Sequence, residues 1–246
     1  MKLINLPNSL TLVNLFAGCM ALIFIFTPGY LHLVAWCTLV SLVADYFDGF
    51  AARFTNNKTD IGKELDSLAD MVSFGVVPGA IVFSMLQMYY RAHAASENEM
   101  LILLYAAPAF LITLFSALRL AKFNLDTRQT EGFIGLATPA NTIFVVGLLL
   151  TLLSNQYGMA QYILQPVLLY GITLVLSLLL ISEMPMFGFK FKHFKWQGNE
   201  IRFVFIILAL ILLGVFKFVG LWITIAVYVI TSVVIHFLSK SKIQQS

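Results

Sequence analysis

Apolar runs long enough to cross a lipid bilayer recur from end to end of this chain, and nothing constrains its fold more. Each lasts about 17–25 residues, the length a helix needs to traverse about 30 Å of hydrocarbon, rather than the weak ten-residue alternation of a transmembrane barrel. Composition agrees: 60% of the 246 residues are hydrophobic and 11% charged, with 22 Phe, and the mean hydropathy is +0.89. A backbone in hydrocarbon must satisfy its hydrogen bonds internally, so the fold class is all-α, a polytopic membrane helical bundle. No stretch has the composition of a separate soluble domain.

A pass along the chain divides it into eight transmembrane helices at 10–27, 31–50, 64–90, 101–121, 136–154, 162–182, 201–216 and 220–238. Short cytoplasmic loops collect Lys and Arg. With the N-terminus inside, all of the 15 Lys and Arg except Arg91 and Lys217 fall on the cytoplasmic side, so both termini are expected there. The division between the last two spans rests on KFVG at 217–220; without a turn there the two would merge. The start, MKLINLPNSLT, has one lysine and no small-residue cleavage site, which reads as an uncleaved first span.

Several function classes drop out. Cys19 and Cys37 both lie in apolar runs and suggest no disulfide framework. The histidines, His32, His93, His193 and His236, are scattered without ligand spacing. The segment KFKHFKW at 190–196 interleaves bases with aromatics, as suits an anionic membrane surface. Nothing else in the chain supports binding of nucleic acid.

Against this background four carboxylates stand out, because charge at membrane depth is costly and is usually kept for an ion or a substrate. Asp45 and Asp48 are three apart at the end of the second span; Asp66 and Asp70 are four apart at the start of the third. Both spacings put the paired side chains on one helical face. Two such faces on neighbouring antiparallel helices can converge, and like charges so placed repel unless cations are bound. An all-oxygen donor set without His or Cys suits Mg²⁺, Mn²⁺ or Ca²⁺. Gly49, Ala52 and Gly62 lie among the acids and leave room for a bulky ligand such as a nucleotide diphosphate, and Arg53 adds a charge for a phosphate or for one of the aspartates. Two other readings are structural ion pairs with Arg53, Lys58 and Lys63, and the acidic site of a divalent-cation transporter. The transporter would want acids at the bilayer midplane on broken helices, whereas these lie at helix ends.

The run D-x2-D-G-x2-A-R-x8-G-x3-D-x3-D, from Asp45 to Asp70, matches every fixed position of the CDP-alcohol phosphotransferase signature, and the chain resembles that family over roughly residues 5–145. The resemblance implies transfer of a phospho group from a CDP-linked lipid to an alcohol, with release of CMP. It implies two Mg²⁺ or Mn²⁺ ions held by Asp45, Asp48, Asp66 and Asp70, with Asp70 also acting as general base. Gly49, Ala52, Arg53 and Gly62 would line the CDP site. LPNSLTLVN at 6–14 is similar to the family's first segment and would add Asn8 and Thr11. The family also implies a six-helix core, here residues 1–182 with a short N-terminal interfacial segment. Residues 183–246 would then form a basic cytoplasmic loop and two further helices. Dimers are usual in the family, so a homodimer is expected.

For the acceptor, LDSLADMVSFGVVP at 65–78, SALRLAKFN at 116–124 and FIGLATPAN at 133–141 resemble the phosphatidylserine synthase branch. Relatives that use glycerol phosphate usually carry lysine after the last Asp, where this chain has Met71. The branch usually has proline where this chain has Ala137. CDP-diacylglycerol and L-serine are thus the implied substrates, in the cytoplasmic membrane with the site facing the cytoplasm. Glycerol 3-phosphate or inositol are the alternative acceptors. A zwitterionic acceptor needs a cation for its carboxylate, for which Arg119 and Lys122 are placed at the cytoplasmic end of the fourth span. Asn124 and Ser73 are further acceptor-binding candidates, with Thr138 and Asn141 as additional polar groups.

Overall fold

The computed structural model describes residues 4–55, 59–93, 98–125, 133–188, 196–197 and 199–243. The expected interfacial bases at 190–195, and Lys58, lie outside the described residues. The chain forms α1 (Leu6–Phe26), α2 (Leu33–Phe54) and α3 (Asp60–Asp70), which continues through a π-helical segment (Met71–Val76) into α4 (Val77–His93). Then come α5 (Glu99–Ala106), a 3-10 turn (Ala107–Phe110), α6 (Leu111–Leu125), α7 (Thr138–Leu153), α8 (Ala160–Ile163), α9 (Pro166–Ile181) and α10 (Glu200–Ile243). Among the described residues, five helical stretches are long and apolar enough to cross a membrane: Leu6–Phe26, Leu33–Phe54, Asp60–His93, Glu99–Leu125 and Glu200–His236. Thr138–Leu153 and Pro166–Ile181 are shorter apolar helices.

Helix starts differ from the hydropathy reading where caps take over. The first helix begins at Leu6, not residue 10, because the Asn5 side chain accepts from the Asn8 amide at 2.8 Å and Pro7 occupies the first turn. The third begins at Asp60, not residue 64, because Thr59 Oγ1 accepts from the Gly62 amide at 3.0 Å. Both extensions are polar, so hydropathy alone starts the helix too late. They also carry Asn8 and Gly62 on helical frames.

The last two expected spans share α10, but Lys217 breaks it with φ 48° and ψ −118°. The chain reverses there. Gly220 lies so close to Leu212 that a Cβ would come within 2.4 Å of its carbonyl oxygen, whereas eight helical residues span about 12 Å. Farther from the bend, the Phe205 and Tyr228 rings meet at 5.8 Å. Legs 200–216 and 218–243 therefore run antiparallel, and Leu221 and Trp222 at the tip pack against Gly147 of α7.

The stretch Asp60–His93 is the hub: 72% of its apolar window is buried, against 28% for α2 and 17% for α10. Ile81, Met85 and Leu86 of α4 are fully enclosed with Ile112, Leu149 and Leu169 from the helices around it. Phe16, Trp36, Val167 and Leu210 instead point outward, as expected where the surroundings are lipid. A two-residue antiparallel pairing, β1 (Phe133–Ile134) with β2 (Pro185–Met186), is the one departure from an all-helical bundle among the described residues. It ties the start of α7 to the end of α9, helped by Gly135 at φ 75°, whose amide donates to Met184 O at 2.9 Å.

Candidate active site

α1 crosses both acid-bearing helices and orients their side chains. Thr11 Oγ1 donates to Asp48 Oδ2 at 2.6 Å, and Asn14 Nδ2, one turn on, donates to Asp70 Oδ1 at 3.2 Å. One oxygen each from Asp45, Asp48 and Asp66 lies within 4.8 Å of the others. Asp66 Oδ1 is buried without a hydrogen-bond partner. Three carboxylates so close, one with an orphaned oxygen, fit a hard divalent cation with oxygen ligands. Asp70 stands apart from this trio, within electrostatic reach of Asp45, Asp66 and Asp48.

Beside the trio opens a cavity of about 530 Å³, within the range of small-molecule sites. Asn8, Thr11, Gly49, Ala52, Arg53 and Gly62 all line it, together with Asp48 and Asp66. A Cβ on Gly49 would meet only the tip of Arg53, at 3.9 Å, so the space it leaves belongs to the cavity. Gly62 differs: a Cβ there would press on Thr59 Oγ1 at 3.0 Å and Asn8 Oδ1 at 3.1 Å. Among the described residues the ion pairs are Arg91 with Glu99 and Lys122 with Glu183. Arg53 is therefore not spent on an aspartate, and Lys63 Nζ donates to Asn124 O at 2.8 Å.

The four acceptor candidates separate. Arg119 is buried on α6; its Nη1 reaches Thr138 Oγ1 at 3.4 Å, its guanidinium lies 5.6 Å from the centre of the Phe123 ring, and Nε has no partner. It is within electrostatic reach of Asp70 and of Tyr228. Lys122 points elsewhere, exposed and paired with Glu183. Asn124 Nδ2 donates to Ser67 Oγ at 2.8 Å, bracing α6 against α3. Ser73 is buried and donates to the Asn14 carbonyl at 3.0 Å, where Gly18 lets α1 approach: a Cβ on Gly18 would come within 2.3 Å of Ser73 Oγ.

Ser73 belongs to the π-helical turn that begins directly after Asp70. Such turns shift the helical register and are frequent at functional sites. Neighbours hold this one: Thr113 of α6 donates to Gly75 O at 2.9 Å, and Thr142 of α7 to Phe74 O at 3.2 Å.

Sequence reasoning missed Asn14, although an amide within an apolar run was a visible signal; the structure buries it fully. It also missed Thr59, Lys63 and Phe123 on the cavity wall. Tyr228 was out of reach as well, because only the folded-back second leg of α10 brings it to Arg119; its hydroxyl donates to Phe187 O at 3.0 Å.

Residues 4–181 match the model of the CDP-alcohol phosphatidyltransferase family, and the chain belongs to that family. It is similar to a CDP-diacylglycerol–serine O-phosphatidyltransferase of Helicobacter pylori J99, 33% identical over 210 residues, covering 83% of this chain and 80% of that one. A protein of the same name from Bacillus subtilis is 31% identical over 201 residues, covering 79% of this chain and 94% of that one. An archaetidylserine synthase of Methanothermobacter thermautotrophicus is 31% identical over 151 residues, covering 60% and 59%.

Proposed function

We propose that this protein moves the phosphatidyl group of CDP-diacylglycerol to the hydroxyl of L-serine, giving phosphatidylserine and CMP. The observation that carries the reading is the carboxylate trio, two of whose members, Asp48 and Asp66, line a nucleotide-sized cavity together with an arginine that no carboxylate occupies. The names of the similar proteins support serine as the acceptor. Asp45, Asp48 and Asp66 would hold two divalent ions, Mg²⁺ or Mn²⁺, with Asp70 at the acceptor side. Bound there, the ions would neutralise charge on the diphosphate and on the departing CMP.

The chain's own residues do the rest. Thr11 fixes the rotamer of Asp48, and Arg53 and the backbone at Gly49 face the diphosphate. Asn14 holds one oxygen of Asp70 and leaves the other for the serine hydroxyl. As the serine oxygen bonds to phosphorus, its proton passes to Asp70 and the bond from phosphorus to the CMP oxygen breaks, CMP leaving with the electron pair. Arg119 supplies the cation for the acceptor carboxylate. In the membrane we read eight crossings, counting both legs of α10, with termini and site on the cytoplasmic side. The distribution of Lys and Arg supports that orientation.

The test is purified protein with CDP-diacylglycerol, Mg²⁺ or Mn²⁺, and a panel of labelled alcohols. Serine should yield CMP and phosphatidylserine, and a chelator should stop the reaction until metal is restored. CMP released with glycerol 3-phosphate or inositol but not with serine would refute the assignment.

A further inference from the structure

A second group of polar side chains lies behind the aspartates, and hydrogen bonds within the chain do not account for it. Asn141 is fully buried and neither atom of its amide has a partner; Ser116 is fully buried with a free hydroxyl; Asn14 is fully buried with Oδ1 unpartnered; Arg119 is 7% exposed with Nε unpartnered. A sealed polar atom without a partner costs on the order of 1–3 kcal/mol, and such groups in native structures call for an explanation.

These residues share one seam. Thr138 of α7 touches Arg119, and Asn141, three residues further along the same helix, is Thr138's neighbour in sequence spacing. Ser116 is likewise three before Arg119 on α6, its Cβ against Gly75 of the π-helical turn. Asn14 closes the seam at Asp70. The unpartnered groups are of two kinds. The Nε edge of Arg119 donates, and that edge with a neighbouring Nη can grip a carboxylate through two parallel bonds. The amide oxygens of Asn14 and Asn141 accept, as an ammonium group requires.

We propose that this seam recognises the zwitterion of an α-amino acid. Arg119 takes the carboxylate, and the oxygens of Asn141 and Asn14 take the ammonium, which directs the side-chain hydroxyl toward Asp70. This rests on serine being the acceptor and assigns the ammonium site to Asn141, a residue outside the signature.

The experiment compares serine with 3-hydroxypropionate, which lacks the ammonium, and with 2-aminoethanol, which lacks the carboxylate, in wild type and Asn141→Ala. Wild type should prefer serine to 3-hydroxypropionate in kcat/KM by about tenfold or more, the worth of a hydrogen bond to a charged group. Asn141→Ala should raise the KM for serine by a similar factor and collapse that preference. Its KM for CDP-diacylglycerol should stay within about twofold. Its thermal midpoint without serine should stay level or rise, since an unsatisfied amide has been removed. A preference for serine unchanged in Asn141→Ala overturns the inference, as does wild type that uses both acids equally, a result that needs no variant. Wild type that ignores serine and works on another alcohol overturns the acceptor assignment instead.

Discussion

Thr11 and Asn14 sit one turn apart on α1, yet they serve two differently built regions. Thr11 faces the cavity of about 530 Å³, where carboxylates, Arg53 and Gly49 surround open space. Asn14 holds Asp70 and, like Arg119, Ser116 and Asn141, is enclosed with a polar atom left unpartnered. A charged diphosphate needs several charged groups at once, which short stretches of adjoining helices supply as a dense motif. A small zwitterion needs a few isolated groups, and three separate helices, α1, α6 and α7, provide them one or two at a time.

The largest expected effect bears on the cavity side. Asp66→Ala should lower turnover by about three orders of magnitude or more, since loss of a metal ligand removes several kcal/mol of charge stabilisation. Metal titration of the residual activity checks it. Asp70→Asn comes next, with kcat down by about 10²–10⁴-fold while CDP binding, measured by calorimetry, stays within a few-fold. Normal turnover in Asp70→Asn would remove Asp70 from the base role and erase the division between the two regions.

Glycine substitutions sharpen the contrast. Gly49→Val should raise the KM for CDP-diacylglycerol by about tenfold with little change in thermal midpoint, because its Cβ enters the cavity. Gly18→Ala should do the reverse, lowering stability by about 1–3 kcal/mol through its clash with Ser73 while KM values hold. The smallest effect is expected for Lys122→Ala. An exposed ion pair is worth at most about 1 kcal/mol, and the KM for serine should move less than about twofold. A tenfold rise would make Lys122 rather than Arg119 the acceptor's cation.

How much was legible follows from where each signal lies. The pairing of Asp45 with Asp48 and of Asp66 with Asp70 on helical faces comes from residues three or four apart, which helical periodicity alone brings together; their convergence with Asn8 and Thr11 takes the packing of α1 against α2 and α3. The reversal at Lys217 was also legible, from four residues that interrupt a long apolar run. The split between Arg119 and Lys122 was not: they are three apart, yet one turns inward to Thr138 and the other outward to Glu183. Ala137 is the position where the sequence departs from the pattern of the branch it resembles. It precedes α7 with φ −69°, close to the value proline imposes, so alanine keeps the backbone that the related proteins' proline would have.

The sequence by itself determined a helical membrane protein, the placement of its carboxylates on two helix ends, and the kind of ligand they suit. These depend on hydropathy and on local helical geometry, which neighbouring residues decide. Only the tertiary structure decided that Asp70 lies outside the trio, that a π-helical turn follows it, that Asn14 of α1 bonds to it, and that buried Arg119 and Asn141 keep unpartnered polar atoms. Those features depend on contacts between residues far apart in the chain. The Thr113 and Thr142 hydroxyls that hold the turn, for example, arrive from α6 and α7.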